Sequence, residues 1–257
     1  MVVFDWDDTL FDSKTQSMPP SNQYALEQLH LNPDVTVVIA SGRAAFYFKQ
    51  RGYHFDAYVT NNGHYVEAND QIIEEVFVDP TTLNKLVDLL KPIGGSVYGV
   101  HSNLGVKKYL EPTDENILSH ASFAQLKDYG QENPDIEKTH ILLVGFDPKY
   151  QSLIEETFPT YHFHRYNGYM LDVIPSHTNK LVGILRLAKA LGISKEDIIA
   201  FGDNDNDIEM LEGVGLGIAM GNAKDTVKQK AKRVTDSILE SGILNACIQL
   251  KLIKEKL

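Results

Sequence analysis

The stretch that decides the fold is VVFDWDDTL, residues 2–10. Its first three residues are apolar and predict a short buried strand, which leads directly into the pattern Asp-x-Asp-x-Thr. Open parallel sheets bind ligands at the carboxyl ends of their strands. Because successive side chains along a strand alternate, we expect Asp5 and Asp7 to lie on the same side. Two carboxylates this close repel each other unless a cation binds them or one of them holds a proton.

A second acidic segment, GDNDND at residues 202–207, follows the apolar run Ile198–Phe201. Three Asp residues at alternate positions are typical of a site for a hard cation. An EF-hand loop starting at Asp203 does not fit, because Ile208 stands where that loop needs Gly and Val214 where it needs Glu. A simple helix cap explains one of these residues but not all of them. The segment therefore indicates part of a magnesium site that takes further ligands from elsewhere in the chain.

Two weaker signals follow two other predicted strands. Ser41-Gly42-Arg43 ends the strand Val35–Ala40, and Lys180 begins a helix after the strand Leu171–Ile174. Taken singly, Ser41 is an ordinary helix cap and Lys180 an ordinary solvated lysine. Together with the two acidic segments, however, they make four polar groups that each follow a predicted parallel strand. We therefore expect all four to meet at one edge of the sheet.

In this order, the four segments resemble the four motifs of the haloacid dehalogenase superfamily of phosphohydrolases. The Gly-Asp-x-x-Asn-Asp pattern at 202–207, with the later stretch AMGNA at 219–223, resembles the Cof-type branch of that superfamily. The resemblance covers essentially the whole chain. It implies an α/β fold with a Rossmann-like parallel-sheet core that carries an inserted α+β cap domain.

The order of predicted elements gives the domain boundaries. Strands and helices alternate in the first third of the chain and again in the last third, which favours βαβ units. The middle third contains hairpins and polar turns instead. We predict a core of residues 1–78 and 168–257, and a cap of residues 79–167.

The resemblance assigns a role to each motif residue. Asp5 would be the nucleophile that takes the phosphoryl group, and Asp7 the general acid and base. Mg²⁺ would be held by the Asp5 side chain, the Asp7 backbone carbonyl and Asp203. Ser41 would hydrogen-bond the transferring phosphoryl group, and Lys180 would neutralise it.

Further residues are expected to support these groups. Asn206 and Asp207 would orient water and Lys180. The candidate substrate contacts are Thr9, Gly42, Arg43 and, in the cap, Arg165, which belongs to a polar cluster with His162, His164, Tyr166 and Tyr169.

The sequence departs from the family pattern at two motif positions. Asp8 stands where the family usually has Gly, so it must tolerate the loop conformation. Leu181 stands where a small residue usually follows the lysine.

The function that this resemblance implies is a Mg²⁺-dependent phosphomonoester hydrolase acting on a small phosphorylated metabolite through a phosphoaspartate. A sugar phosphomutase on the same scaffold remains an alternative. A non-enzymatic phosphoaspartate signalling module of the receiver type is a third, although receivers are about half this length and have no inserted cap. The substrate itself is not encoded in the fold.

Composition limits the partners and the compartment. The chain has 257 residues, a net charge of −11 and a single Cys, which excludes an internal disulfide and a Cys-based zinc site. The acidic balance disfavours nucleic acid, and the apolar runs are too short to span a membrane. No signal peptide is visible, so we expect a cytoplasmic protein. The oligomeric state stays open, and a monomer is compatible with the sequence.

Overall fold

A computed structural model describes residues 1–120, 131–165 and 168–253 of the chain. The strands form two sheets, one of eight strands and one of five. The strands are β1 Val2–Phe4, β2 Val37–Ala40, β3 Ala57–Thr60, β4 Tyr65–Ala68, β5 Gln71–Glu75, β6 Ser96–His101, β7 Gly105–Leu110, β8 Ile141–Gly145, β9 Tyr161–Arg165, β10 Met170–Pro175, β11 Ile199–Gly202, β12 Leu216–Ala219 and β13 Arg233–Val234.

The eight-stranded sheet has the order β13-β12-β11-β1-β2-β3-β4-β5. Its strands are parallel from β13 to β3, and β4 and β5 add an antiparallel hairpin at one edge. The hairpin turns at Asn69 and Asp70, which have φ angles of 51° and 58°. Asn and Asp adopt such left-handed angles more readily than other non-glycine residues, which suits this pair to the turn.

Helices cover both faces of this sheet, as expected for a parallel sheet with buried strands. On β1, Val2 and Phe4 face one hydrophobic layer, whereas Val3 faces the other. The α-helices of the described residues are α1 Pro20–His30, α2 Ala45–Gln50, α3 Pro80–Leu90, α4 Glu115–His120, α5 Gln151–Thr157, α6 Lys180–Leu191, α7 Ile208–Gly213, α8 Asp225–Lys230 and α9 Gly242–Gln249. In the described part of the chain, no helix is both long enough and apolar enough to cross a membrane.

The five-stranded sheet is antiparallel, in the order β7-β6-β8-β10-β9. One of its faces packs against α3 and α5 through residues such as Leu86, Leu90 and Ile154. The other face meets the core domain, where Ala44 and Phe46 pack against it. The inserted segment is therefore an α+β cap with its own hydrophobic core, and the fold class predicted from the sequence is confirmed.

The placement of β10 differs from the sequence prediction. We expected residues from 168 onward to belong to the core, but β10 pairs with β8 and β9 in the cap sheet. The cap sheet thus extends to Pro175, and the core resumes with α6 at Lys180. The reason is that a short apolar strand bounded by turns looks the same in a parallel sheet and in the middle of an antiparallel one.

A short loop of the cap fixes its position over the core. The Ser102 hydroxyl donates to the Asn61 side chain (3.0 Å), and it accepts a hydrogen bond from the backbone N–H of Ala45 (3.0 Å). The backbone carbonyl of Ser102 accepts from the N–H of Phe46 (2.8 Å). All of these partners lie just beyond the carboxyl ends of β2 and β3, so the cap lies over the edge at which the polar motifs were predicted to meet.

Candidate active site

A buried lysine between two carboxylates forms the centre of the site. The Lys180 ammonium donates to Asp5 Oδ1 (2.6 Å) and to Asp207 Oδ1 (2.7 Å). Lys180 is 1% exposed, Asp5 5% and Asp207 not at all. Three motifs that are far apart in the sequence therefore meet at the carboxyl edge of the sheet. Asp5 and Asp207 follow parallel strands there, as predicted, whereas Lys180 follows a strand of the cap sheet.

Lys180 occupies the first turn of α6, where a cation is unfavourable unless an anion compensates. The helix is capped by Asn179, whose side chain accepts from the N–H of Val182 (2.9 Å). The turn at 61–63 packs directly under this helix start. A Cβ on Gly63 would lie 2.1 Å from the Asn179 carbonyl oxygen, so only glycine allows this close approach.

The loop after β11 holds Asp203 and Asp207 in fixed positions. Asp207 Oδ2 accepts hydrogen bonds from the backbone N–H groups of Asp203 (3.0 Å) and Asn204 (3.1 Å). A Cβ at Gly202 would lie 2.7 Å from the Asp207 side chain, which explains the glycine at this point. With both oxygens engaged, Asp207 orients Lys180, and Asp203 is the other carboxylate of this loop that lies within 4.8 Å of Asp5.

Thr9 does not have the predicted position. We expected it to contact substrate, but its side chain is fully buried and its hydroxyl donates to Asp203 Oδ1 (2.8 Å). Thr9 therefore orients Asp203 and does not line the cavity. The sequence pattern could not distinguish these roles, because both place a hydroxyl close to the carboxylates.

Asp7 and Arg43 form a two-point ion pair. Arg43 Nε donates to Asp7 Oδ2 (2.9 Å), and Nη2 donates to Oδ1 (2.8 Å). The Arg43 guanidinium also stacks over the ring of Tyr47 (4.2 Å).

Ser41 is buried at the end of β2, and its Oγ accepts from the Arg43 N–H (3.1 Å). Trp6, between the two aspartates, packs into the core on the other side of the chain, so Asp5 and Asp7 share the cavity side.

The structure accommodates both departures from the family pattern. Asp8 has a φ of 59°, a left-handed angle that Asp tolerates better than most residues, and its side chain accepts from the N–H of Ser13 (3.0 Å). Leu181 lies over Gly213, where a Cβ would come within 2.3 Å of its methyl carbon. The missing side chain at Gly213 therefore leaves room for the larger residue beside Lys180.

Asn206, expected to help orient water and Lys180, contacts the turn at 61–63. Its side chain donates to the Asn62 side chain (3.3 Å), whereas the described hydrogen bonds of Lys180 go to Asp5 and Asp207. Asn62 was not identified from the sequence as a site residue. It lines the cavity beside Gly42, and its φ of 53° places its side chain there. The Asn-Asn-Gly turn signal was visible in the sequence, but it gave no indication of a role in the site.

Several of the residues described above line a cavity of about 610 Å³ between the core and the cap. Its volume is typical of sites for small molecules. The core contributes one wall and the cap strands β9 and β10 the other. The lining residues are Asp5, Asp7, Ser41, Gly42, Arg43, Asn62, Phe163, His164, Arg165, Asp172, Asn204, Asp205, Asn206 and Lys224.

Arg165 reaches this cavity, but its guanidinium is held by the cap itself. Nε donates to the side chain of Gln151 (2.9 Å), and Nη1 donates to the carbonyl of Gly168 (2.9 Å). Its Nη2 is buried and has no hydrogen-bond partner among the described residues, so the contact with substrate stays a prediction. Tyr166, from the same predicted cluster, lies outside the described residues.

The electrostatics of the site indicate a missing positive charge. Burial, together with the Asp207 carboxylate, raises the pKa of Asp5 well above its usual range, although Lys180 opposes the shift. Burial and Asp207 likewise raise the pKa of Asp203 to about 7. Burial lowers the pKa of Lys180, but Asp207 and Asp5 outweigh it and leave this pKa above the usual range. One ammonium therefore does not balance three carboxylates.

This donor set fits a divalent metal ion that prefers oxygen. Carboxylate oxygens of Asp5, Asp203 and Asp207 lie within 4.8 Å of one another. Oxygen-only ligands of this kind suit Mg²⁺, and a divalent ion would offset the excess negative charge. Asp207 is engaged by Lys180 and by backbone amides, which leaves Asp5 and Asp203 as the candidate side chains for such an ion.

Comparison with known proteins agrees with this site. A sequence profile of the haloacid dehalogenase-like hydrolase family matches residues 2–247. Over its whole length the chain is 31% identical to a putative bifunctional phosphatase/peptidyl-prolyl cis-trans isomerase of Streptococcus pyogenes serotype M6, and it spans 55% of that protein. It is 29% identical to the putative phosphatase YkrA of Bacillus subtilis, with 99% of this chain and 98% of YkrA covered.

A solved structure gives the same answer for the whole fold. A hypothetical protein from Geobacillus kaustophilus HTA426 has a TM-score of 0.87 and 31% sequence identity to this chain, with 98% of both chains covered. The chain therefore belongs to the haloacid dehalogenase-like hydrolase family. Within that family it is a phosphatase of the Cof type.

Proposed function

We propose that this phosphatase is a Mg²⁺-dependent phosphomonoesterase, and that it hydrolyses a small phosphorylated metabolite through a phosphoaspartate on Asp5. The observation that carries the proposal is the buried Lys180, which holds Asp5 at the floor of a metabolite-sized cavity with Asp7 beside it. A carboxylate nucleophile divides a difficult displacement into two easier steps.

In the first step, a carboxylate oxygen of Asp5 forms a bond to phosphorus while the bond from phosphorus to the leaving oxygen breaks. Asp7 gives its proton to that leaving oxygen. In the second step, Asp7 takes a proton from water as the water oxygen attacks phosphorus, which releases phosphate and regenerates Asp5. Phosphoryl transfer depends mainly on positioning and on compensation of charge.

The other residues act on binding and orientation. Lys180 balances charge on the transferring group, and the Ser41 hydroxyl offers it a hydrogen bond. Arg43 holds the ionised Asp7 carboxylate through its two-point ion pair, and this pair has to open before Asp7 carries the proton that it donates. When bound by Asp5, Asp203 and the Asp7 backbone carbonyl, Mg²⁺ would supply positive charge at the phosphoryl oxygens.

The proposal is tested by phosphate release from p-nitrophenyl phosphate, measured over many turnovers per enzyme molecule. We expect turnover to cease after treatment with EDTA and to return with Mg²⁺. Full activity in excess EDTA would contradict the metal requirement, and release limited to one equivalent would contradict a hydrolase.

Two variants in one loop test the metal-binding residue. Asp203→Asn should raise the Mg²⁺ concentration for half-maximal activity by at least ~10-fold, because it removes a ligand. Asp205→Asn is the matched control, since Asp205 is exposed and pairs with Lys224. An equal Mg²⁺ requirement in the two variants would contradict the assignment of Asp203.

A further inference from the structure

The cap wall of the cavity carries a carboxylate to which no motif assigns a role. Asp172 lies in the middle of β10, directly opposite His164 on β9 and Leu143 on β8. Its neighbours Leu171 and Val173 pack into the hydrophobic core of the cap. Since side chains alternate along a strand, Asp172 faces the opposite way, toward the core domain and the cavity.

The Asp172 carboxylate is poorly compensated. Its Oδ1 is buried, and it has no hydrogen-bond partner among residues 1–120, 131–165 and 168–253. Burial alone raises the pKa of Asp172 to about 7. Asp172 as a whole is half-buried, but a buried carboxylate oxygen without a donor is costly, and an apolar residue would avoid that cost at this place in the sheet. The cap therefore bears a destabilising group at the cavity wall.

The residues on the opposite wall of the cavity indicate a role for the Asp172 carboxylate. Asp5, Asp7 and Ser41 line the core side of the same cavity, so a phosphoryl group at Asp5 leaves the rest of the molecule between core and cap. Building on the proposed phosphatase function, we propose that Asp172 is a specificity residue that accepts a hydrogen bond from a donor on the leaving group of the substrate, remote from the phosphoryl group.

Two kinds of donor have this chemistry, a hydroxyl and an ammonium group. Both would give the Asp172 carboxylate the partner that the described protein residues do not provide. A hydrogen bond to a charged group contributes roughly a 10- to 100-fold preference, so the effect is measurable in kcat/KM. A substrate whose remote end is purely apolar gains nothing from Asp172.

Three phosphate esters with the same six-carbon chain test the proposal: sorbitol 6-phosphate, 6-aminohexyl phosphate and hexyl phosphate. In the Asp172→Leu protein, kcat/KM should fall by ~10-fold or more for the preferred donor-bearing ester and by less than ~3-fold for hexyl phosphate. The donor-bearing ester that loses more identifies the donor. Asp172→Asn should show the same order of preference with a smaller loss, because its amide still offers an acceptor.

Controls separate this role from a structural one. Glu156→Leu removes an exposed carboxylate on α5, which packs on the face of the cap sheet away from the cavity, and should leave all three kcat/KM values unchanged. The urea midpoint of Asp172→Leu should equal or exceed that of the wild type, because an unpartnered buried group is removed. Equal losses for all three esters, or no loss for any, would overturn the proposal.

Activities of the wild-type protein distinguish a failure of the Asp172 role from a failure of the proposed phosphatase function. A wild type that hydrolyses p-nitrophenyl phosphate but prefers hexyl phosphate to both donor-bearing esters would also overturn the role of Asp172, with the phosphatase function intact. A wild type that hydrolyses none of the four esters would instead refute the proposed function.

Discussion

Lys180 determines the charge balance of the site at the scale of single residues. It is fully enclosed, and its ammonium contacts Asp5 and Asp207 at hydrogen-bond distance. A buried cation of this kind is stable only because its partners are equally buried and well placed. The two buried carboxylates in turn depend on the positive charge of Lys180.

Replacement of Lys180 by Met should therefore lower the free energy of unfolding by about 3–5 kcal/mol in metal-free buffer, because it leaves two buried carboxylates without their cation. Urea denaturation measures the loss. Lys224→Met is the control, since the Lys224–Asp205 pair is exposed and should contribute at most about 1 kcal/mol. Similar losses in both variants would show that the buried triad is not formed in solution.

The sequence predicted which residues form the site more accurately than it predicted the contacts that their side chains make. Asp5, Asp7 and Ser41 each follow the end of a parallel strand, which places them at one edge of the sheet. Lys180 follows β10 of the cap sheet and reaches the same edge from the first turn of α6. The positions of Thr9 and Arg165 depend on which way a side chain turns, and a motif does not encode that. Asp172 could not be predicted at all, because β10 was assigned to the wrong sheet.

At the scale of elements, the turn at 61–63 supports the helix that carries Lys180. Gly63 has a φ of 87° and touches the carbonyl of Asn179, whereas Gly183 in the second turn of α6 touches Gly63 and Val59. The sheet and the helix approach so closely because both contact points lack side chains. This contact positions the start of α6 against the carboxyl ends of the strands.

Gly63→Ala should consequently destabilise the protein by more than about 2 kcal/mol and reduce phosphatase activity, since the new methyl group strains the backbone and displaces Asn179. Gly52→Ala is a matched control. Gly52 also has a positive φ, 72°, but a Cβ there meets no atom within 4 Å, so its cost should be about 1 kcal/mol. Thermal unfolding and p-nitrophenyl phosphate turnover measure both effects. Equal stability and activity in the two variants would contradict this contact.

Local signals predicted most elements well. Asp79 caps α3 before Pro80, and Gly192 ends α6 with a φ of 68°. Helix α1 begins at Pro20 without a side-chain cap, although the next residue, Ser21, is of a type that favours the cap position. Proline is favoured in the first helical turn, and here that preference decided the boundary.

At the scale of the whole molecule, a polar cluster joins the two sheets. His140 Nε2 lies 3.3 Å from Glu75 Oε1, and His101 Nε2 lies 3.9 Å from the same atom. The N–H of Ser102 donates to His140 Nδ1, so the neutral ring carries its proton on Nε2, facing Glu75. The pair thus joins a core strand to the cap while His140 remains uncharged.

Stability should depend on pH through His140. Burial, reinforced by His101 and His64, lowers the pKa of His140 to about 2. The unfolded chain binds a proton at this residue below pH ~6.5, whereas the folded chain does not. The stability that His140 contributes is therefore present above that pH and is lost as the pH falls, with a slope of about 1.4 kcal/mol per pH unit.

The measurement compares unfolding free energies of the wild type and His140→Asn from pH 8 to pH 5. Any advantage of the wild type should be constant above pH ~7 and shrink at lower pH, since the carboxylates that also titrate are common to both proteins. An advantage that stays constant down to pH 5 would mean that His140 gains its proton in the folded state.

The central claim is that Asp5 takes the phosphoryl group and Asp7 moves the protons. The most direct test is the reaction of Asp7→Asn with p-nitrophenyl phosphate in Mg²⁺. Its leaving group barely needs a proton, whereas water attack loses the ~10²–10⁴-fold help of the base. We expect a burst near one equivalent of nitrophenol, then a stall with phosphate on Asp5, and no burst from Asp5→Asn. Turnover of Asp7→Asn at the wild-type rate, or a burst from Asp5→Asn, would contradict the account.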